Sequence, residues 1–188
     1  MRISYITLAT LTAALTATTG TEEKQPTTSP NSHTNSGLTK KTPTTNANCL
    51  KKLLADEYIL YTKTYKFHWN VTGANFNELH TFFKAQYEQL ETFIDTTAER
   101  IRVLGSYAPG TLTEFTQLTR LKEDPGTNPP AQRMIARLLA DHEAIITSLQ
   151  KDLATTAENA DLGTNNMLND LLMKHEKMAW MLRAYLQD

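Results

Sequence analysis

The sequence predicts an all-α protein in which four long helices form a bundle. From Leu50 onward, apolar residues recur at steps of three and four positions, as one buried helix face requires. Glycine and proline signals interrupt this pattern at intervals that suit helices. The alternation of apolar and polar residues that a half-buried strand would need does not occur.

The first two long helices are expected on either side of a tight turn. The first begins at Leu50 and ends at Thr72-Gly73, because glycine adopts the left-handed conformation with which helices commonly stop. The second is expected from about Asn75 to Leu104. A long connection then follows, residues 105–128, with a short capped helix predicted over 113–118.

The third long helix begins at Pro129-Pro130, where proline is tolerated in the first turn, and runs to about Glu158. The fourth is expected from near Thr164 to Leu186. Four long helices with one long connection after the second are the arrangement of a ferritin-like four-helix bundle.

Composition limits the classes of function open to this chain. Its 188 residues suffice for one domain with a tail, and 40% are hydrophobic, enough for an ordinary core. A formal net charge of −1 excludes a polycation built to hold nucleic acid. Cys49 is the single cysteine, which excludes an intrachain disulfide and a CxxC zinc cluster.

Residues 1–20 have the outline of a weak signal peptide. Arg2 is a minimal basic region, and Ile3–Ala17 is moderately apolar but diluted by threonines. The segment is too short and too polar for a membrane span. The expected location is the cytoplasm, and export through this segment to the periplasm is the alternative.

Residues 21–48 are rich in Thr, Ser, Asn and Pro and are expected to be a disordered tail, because they can bury little apolar surface. The ferritin-like domain is expected over 49–188. Between residues 21 and 52, five lysines against two glutamates give a local charge of +3. That charge could contact DNA phosphates, and it fits a solvated extension equally well.

Four residues of the first two helices form a ligand set suited to iron: His68, His80, Asp95 and Glu99. His80 and Asp95 lie fifteen residues apart on one predicted helix, which is roughly 22 Å at a rise of about 1.5 Å per residue. Metal–ligand bonds are only about 2 Å long. Either these residues are unrelated, or a second copy of the chain, related by a two-fold axis, supplies the missing half.

The carboxylates also have a simpler interpretation as part of a surface ladder of ion pairs. Asp95 and Glu99 are one helical turn apart and stand beside Arg100 and Arg102. Against this, Asp95 is expected within an apolar stripe, where an unpaired charge is costly. No histidine follows a glutamate by three residues, as in the Glu-x-x-His motifs of di-iron bundles, which favours a site between subunits. The remaining histidines are interpreted as structural: His33, His142 and His175.

These residues stand in stretches that resemble the signature of the Dps family, the DNA-binding proteins from starved cells, also called miniferritins. The stretches are Phe67-His68-Trp69-Asn70-Val71-x-Gly73, Phe76-x-x-Leu79-His80, Ile94-Asp95-x-x-Ala98-Glu99-Arg100-Ile101 and Leu104-Gly105. The segment from His175 to Ala184 is similar to the last helix of the same family. The resemblance covers about Leu50 to Leu186.

The resemblance implies a dodecameric hollow shell with ferroxidase centres at two-fold interfaces. In each centre, His68 and His80 of one subunit and Asp95 and Glu99 of its neighbour are the catalytic and iron-binding residues.

Two tryptophans and one lysine also lie near the implied centre. Trp69 and Trp180 match family tryptophans and are candidate electron donors or radical quenchers. Lys84 stands where the family often has a carboxylate that helps to hold a second iron. A lysine could exclude the second cation or bridge to a nearby acid, so the number of irons in each centre is left open.

The segment 157–161 resembles the region that lines the acidic three-fold pores of the family. Glu158 and Asp161 are candidate pore acids, while Asn166 stands where an aspartate is frequent, so cation attraction is expected to be weaker.

The function predicted from these features is a ferroxidase that oxidises Fe²⁺, preferentially with hydrogen peroxide, and stores the Fe³⁺ as a mineral inside the shell. The expected ion is iron, and the expected partners are further copies of the chain. The alternative is a DNA-compacting stress protein that uses its tail lysines. A third possibility is an exported shell that other cells recognise.

Overall fold

A computed structural model describes residues 42–187, apart from the side chains of residues 42 and 43. Within this range the chain forms helices and no strands, which confirms the predicted all-α class. The helices are α1 (Thr42–Asn70), α2 (Phe76–Val103), α3 (Leu112–Leu118), α4 (Ala131–Glu158) and α5 (Leu162–Ala184). The four long ones are the four that the apolar periodicity predicts.

The long helices pack as two hairpins that share one core. α1 lies along α2, α4 lies along α5, and α1 also contacts α4 and the short α3. Phe67, Phe83 and Phe93 are among the largest fully buried side chains, and they fill the space between the helices together with leucines and isoleucines. This apolar interior provides most of the driving force for folding the bundle.

The turn between α1 and α2 forms where the sequence predicts it. Gly73 has φ +115°, a conformation that side-chain-bearing residues rarely adopt, and its carbonyl oxygen accepts a hydrogen bond from the Phe76 amide at 3.1 Å. Val71 is buried just before the turn and Leu79 just after it. The turn therefore holds the last turn of α1 against the first turns of α2.

The short α3 is fixed by a capping box. Thr111 accepts a hydrogen bond from the backbone amide of Glu114, and the carboxylate of Glu114 accepts one from the backbone amide of Thr111. The Phe115 ring is buried and stacks on Tyr58 of α1 at 4.2 Å. The predicted short helix in the long connection is thus present.

α1 begins at Thr42, eight residues before the start that its apolar pattern predicts. The extension is stabilised by polar contacts: the Asn46 side chain donates to Asp161 at 2.8 Å and accepts from Asn159 at 2.8 Å. These partners are more than a hundred residues away in sequence. Residues 42–48, predicted as the end of the tail, are therefore helical, whereas 1–41, including the signal-like segment and His33, lie outside the described residues.

Asp161 is a buried helix cap and not an open pore acid, which corrects the sequence prediction. Its carboxylate accepts hydrogen bonds from Asn46, from Arg100 at 2.8 Å and from the amide and hydroxyl of Thr164. Burial raises the pKa of Asp161, but the bonds from Thr164 and Asn46 and the charge of Arg100 outweigh burial and leave the pKa below its usual value. Glu158 is exposed and remains a candidate.

None of the helices in residues 42–187 is both long and apolar enough to cross a membrane.

Candidate metal centre

His68 and His80 form a reciprocal pair across the α1–α2 turn. The Nδ1 of His68 lies 2.7 Å from the carbonyl oxygen of His80, and the Nδ1 of His80 lies 2.8 Å from the carbonyl oxygen of His68. The two rings are stacked, with centroids 3.7 Å apart. A carbonyl oxygen can only accept, so each Nδ1 must be the protonated donor.

This pairing determines what the two imidazoles can do next. In the neutral form of each ring, a proton on Nδ1 leaves the lone pair on Nε2. Histidines that bind metals typically donate their second ring N–H to a carbonyl or carboxylate in this way. The turn therefore presents two nitrogen ligands side by side, with their tautomers fixed by the backbone.

The neighbouring helices hold the pair in place. His68 is nearly buried, while His80 is half-buried beneath the ring of Phe76 at 5.2 Å. The rings of Tyr65 and Tyr87 lie 6.3 Å and 5.3 Å from that of His68. The aromatic contacts restrict rotation of both imidazoles.

Asp95 and Glu99 lie further along α2 and face outward. Asp95 borders a shallow open groove together with Glu91 and Thr92. Both carboxylates are exposed and make no hydrogen bond or ion pair with residues 42–187. The expectation that Asp95 is covered by an apolar stripe is therefore wrong for the single subunit, in which only its neighbours Ile94 and Ala98 are half-buried.

The ion-pair ladder is also excluded, because the two nearby arginines bind elsewhere. Arg100 donates to Asp161 and to the Thr164 hydroxyl. Arg102 donates to the Ser106 carbonyl at 2.9 Å and lies over the ring of Tyr107. The outward carboxylates are thus left available to a partner outside the chain.

One subunit carries the two halves of the predicted site without joining them. His80 and Asp95 both belong to α2, so their separation along the axis is roughly 22 Å. Among residues 42–187, no group of three or more His, Cys, Asp or Glu side chains could hold one metal ion. The four candidate ligands therefore cannot hold one ion within a single subunit.

The two predicted tryptophans differ in their surroundings. Trp69 is 62% exposed, follows His68 directly and packs on Tyr65 at 4.1 Å. Trp180 is equally exposed and makes no ring contact with the described residues. Within one subunit, Trp69 is therefore next to His68 in sequence and packs on Tyr65, whose ring also stacks on that of His68, whereas Trp180 has no such connection among the described residues.

Lys84 lies one turn after His80 on α2 and points toward its own helix. Its ammonium group pairs with Glu88 and lies 3.4 Å from the hydroxyl of Tyr87. Of the two roles left open for this lysine, the bridge to a nearby acid is the one present in the isolated subunit. No carboxylate takes its place beside His80.

Three buried residues form a hydrogen-bonded polar chain in the bundle interior. The sequence drew attention to its two histidines but not to its glutamate. Glu57 of α1 accepts from Nε2 of His175 on α5 at 2.8 Å, and Nδ1 of His175 lies 2.9 Å from Nδ1 of His142 on α4. All three side chains are fully buried. Glu57 gave no sequence signal, because its position between Leu53 and Leu60 only becomes internal once α4 and α5 pack against α1.

The buried polar chain formed by Glu57, His175 and His142 has an unpartnered polar atom at each end. Oε2 of Glu57 and Nε2 of His142 are buried without a hydrogen bond in the described structure. Burial lowers the pKa of His142 well below 6.5, and the neighbouring His175 lowers it further. His142 is therefore neutral, because an additional charge in this interior would be costly.

Comparison with known proteins gives a consistent family. The ferritin-like domain family matches residues 47–188. An uncharacterised low temperature-induced protein of Nostoc sp. is 41% identical over 81% of this chain and 86% of its own length. DNA protection during starvation protein 2 of Bacillus anthracis is 34% identical over 74% of this chain and 94% of its own.

A solved structure agrees with the sequence relatives. The Dps protein of Vibrio cholerae O1, described as a member of a broad superfamily of ferritin-like diiron-carboxylate proteins, is 29% identical. It superposes with a TM-score of 0.77 and covers 80% of this chain and 94% of its own.

Because His142 is buried in the polar chain, we expect the free energy of unfolding to fall in mild acid. Because the pKa of His142 is lower in the folded than in the unfolded protein, its contribution is complete above about pH 6.5 and decreases as the pH falls toward the lowered pKa. Each pH unit in that window costs at most about 1.4 kcal/mol. His142→Gln retains a hydrogen-bonding group but does not titrate, so thermal unfolding of this variant should vary less between about pH 7.5 and about pH 5. Equal pH dependence in variant and wild type would contradict this, whatever the variant loses at neutral pH.

Proposed function

This chain belongs to the Dps family of ferritin-like proteins, and on that premise we propose that it is a ferroxidase. It oxidises Fe²⁺ to Fe³⁺ with hydrogen peroxide at centres shared by two subunits. The product is stored as a mineral inside a shell of identical subunits, which we propose to be a dodecamer. The observation that carries the proposal is the reciprocal His68–His80 pair, in which both Nδ1 atoms bind backbone carbonyls and both Nε2 lone pairs are left for a metal.

The donor set suits the substrate in both of its oxidation states. Imidazole nitrogens and carboxylate oxygens together form a donor set that suits Fe²⁺. Asp95 and Glu99 of the second subunit add negative charge, which stabilises the iron as it becomes Fe³⁺. Since these carboxylates have no partner among the described residues of their own subunit, they can bind iron without breaking an ion pair.

The surface of the single subunit supports assembly. Three large apolar side chains of α5, those of Leu162, Met173 and Trp180, are each more than 60% exposed. Their spacing of eleven and seven residues places them along one face of the helix, and exposed apolar patches of this kind mark surfaces that contact other proteins. A two-fold contact that covers α2 would bring the histidines of one subunit to the carboxylates of the other, and reciprocally.

Of the two acids predicted to line the path of iron into the shell, only Glu158 remains a candidate. Glu158 is exposed at the end of α4 and is proposed as a pore acid that attracts Fe²⁺. Family membership supports a soluble stress-protection role, and we place the protein in the cytoplasm on that ground.

Mixing two inactive variants provides the sharpest test of the shared centre. His68→Ala/His80→Ala and Asp95→Asn/Glu99→Gln should each abolish fast peroxide-dependent oxidation, because each removes half of every centre. When the two variants are dissociated together and reassembled at random, half of the dimers contain one subunit of each variant. Each of these mixed dimers has one intact centre out of two, so about a quarter of the activity should return. Stopped-flow absorbance of Fe³⁺ formation measures it.

Each variant dissociated and reassembled alone is the control and should stay inactive. If mixing restores no activity although mass spectrometry shows mixed shells, the ligands do not come from two subunits, and the assignment of the site fails.

From the positive charge of Lys84 we predict how many irons each centre binds. With a cation one turn from His80, wild-type protein should bind one Fe²⁺ tightly per centre, and Lys84→Asp should bind two, because a carboxylate both removes the repulsion and adds a ligand. Anaerobic titration calorimetry with Fe²⁺ measures the stoichiometry. Lys84→Gln, which removes the charge without adding a ligand, should remain at one. Two tight sites in the wild type would show that Lys84 does not limit binding.

DNA protection is the second candidate, and the name of the Bacillus relative favours it. Of the five lysines between residues 21 and 52, Lys51 is half-buried and Lys52 is exposed on α1, while the other three lie outside the described residues. If the tail binds DNA, the full chain should retard duplex DNA in a gel at low salt and lose most of this binding as salt rises. The same shell without residues 1–41 is the control. Equal retardation by both would exclude the tail as the contact.

A further inference from the structure

The side chain of Arg100 joins the end of α2 to the corner between α4 and α5. Its Nε donates to the Thr164 hydroxyl at 2.9 Å, and one of its terminal nitrogens donates to the Asp161 carboxylate at 2.8 Å. The side chain of Asp161 is buried, and most of the Arg100 side chain is also covered. We refer to Arg100, Asp161, Gly163 and Thr164 as the corner lock.

Gly163 leaves the space that the guanidinium of Arg100 occupies. A Cβ atom on Gly163 would lie 2.9 Å from a terminal nitrogen of Arg100 and 3.2 Å from its Cζ. The backbone of Gly163 does not have the positive φ of Gly73, so its conformation does not call for glycine. Gly163 is the second residue of α5, where alanine would be the better helix former. The close approach of Arg100 is therefore the physical reason for a glycine at this position.

The corner lock acts on Glu99, the candidate iron ligand that precedes Arg100 in α2. Successive side chains of a helix point about 100° apart, so holding Arg100 against α5 also fixes the direction of Glu99. A carboxylate stands roughly 5 Å from the helix axis, so a roll of α2 by about 10° would move it by about 1 Å. Groups that bind a metal have to be held within about 0.5 Å, which makes a fixed roll of α2 important for binding.

The corner lock also determines which carboxylate pairs with Arg100. Glu99 is exposed and forms no ion pair with residues 42–187, although an arginine follows it directly. A guanidinium released from Asp161 would be free to pair with Glu99 and would repel an approaching cation. Because the guanidinium is bound to Asp161, the carboxylate of Glu99 stays available to a cation.

We propose that Arg100, held by the corner lock, is a positioning residue for Glu99 at the iron centre. The inference rests on the ferroxidase function proposed above. Arg100 does not bind iron; it fixes the direction of Glu99 and keeps its own charge on Asp161. Asp161, which the sequence suggested as a pore acid, thereby acts on the iron centre through Arg100.

The test uses Gly163→Ala, which changes neither an iron ligand nor Arg100 itself. The added methyl group should displace the guanidinium from Asp161 and Thr164. Gly110→Ala is the matched control, because a Cβ atom on Gly110 would meet no atom within 4 Å. Anaerobic titration calorimetry of assembled shells with Fe²⁺ measures the affinity, and stopped-flow absorbance with peroxide separates KM from kcat.

Gly163→Ala should weaken Fe²⁺ binding about tenfold, as the loss of a group that orients a metal ligand typically does. It should raise KM for Fe²⁺ more than it lowers kcat, and Gly110→Ala should match wild type. A merely structural role of the corner lock would change the unfolding temperature and leave both the affinity and KM as in wild type. That result would overturn the proposal.

A double variant shows whether the effect depends on Arg100. Arg100→Met removes the guanidinium, so it should weaken Fe²⁺ binding as Gly163→Ala does. In Gly163→Ala/Arg100→Met the methyl group meets no guanidinium, so the double variant should bind Fe²⁺ as weakly as Arg100→Met alone. Additive losses would mean that Gly163 acts independently of Arg100, and the proposal fails. If wild-type shells neither bind nor oxidise iron, the ferroxidase function itself is overturned, so the two failures are distinguishable.

Discussion

The pair of hydrogen bonds between His68 and His80 is the constraint on which the candidate site depends. Each imidazole donates to the backbone carbonyl of the other residue, so the ring orientation is fixed by the turn itself. Gly73 makes the turn short enough for α1 and α2 to bring the two residues together. The same bonds leave both Nε2 atoms as ligands, and a rigid pair of ligands loses little entropy when a metal binds.

The length of α2 provides the second constraint. A helix that carries His80 near its start and Asp95 and Glu99 near its end cannot fold back to join them. In the proposed function the centre is complete only between subunits, so that iron binding and assembly would be linked. The carboxylates of Asp95 and Glu99 lie exposed and unpaired among the described residues of the single subunit, where they remain solvated by water.

The bundle interior also contains buried polar groups, separate from the candidate iron site. The buried polar chain places ionisable groups where most bundles have apolar side chains. Its two end atoms, on Glu57 and His142, have no hydrogen-bond partner in the described structure. Breaking such a network by removing one member is usually more costly than replacing it entirely by apolar groups. The interior thus combines an apolar core that supports the bundle with a polar chain that makes it sensitive to acid.

By itself, the sequence determined the helices, the short turn at Gly73 and the identity of the four candidate ligands, because periodicity and spacing are local properties. Because a helix has a fixed rise per residue, the spacing also showed that His80 and Asp95 of one chain cannot share an ion. Only the tertiary structure decided the start of α1, the burial of Asp161 and Glu57 and the exposure of Asp95. These depend on contacts such as that of Asn46 with Asp161, which join residues far apart in the chain and leave no local pattern.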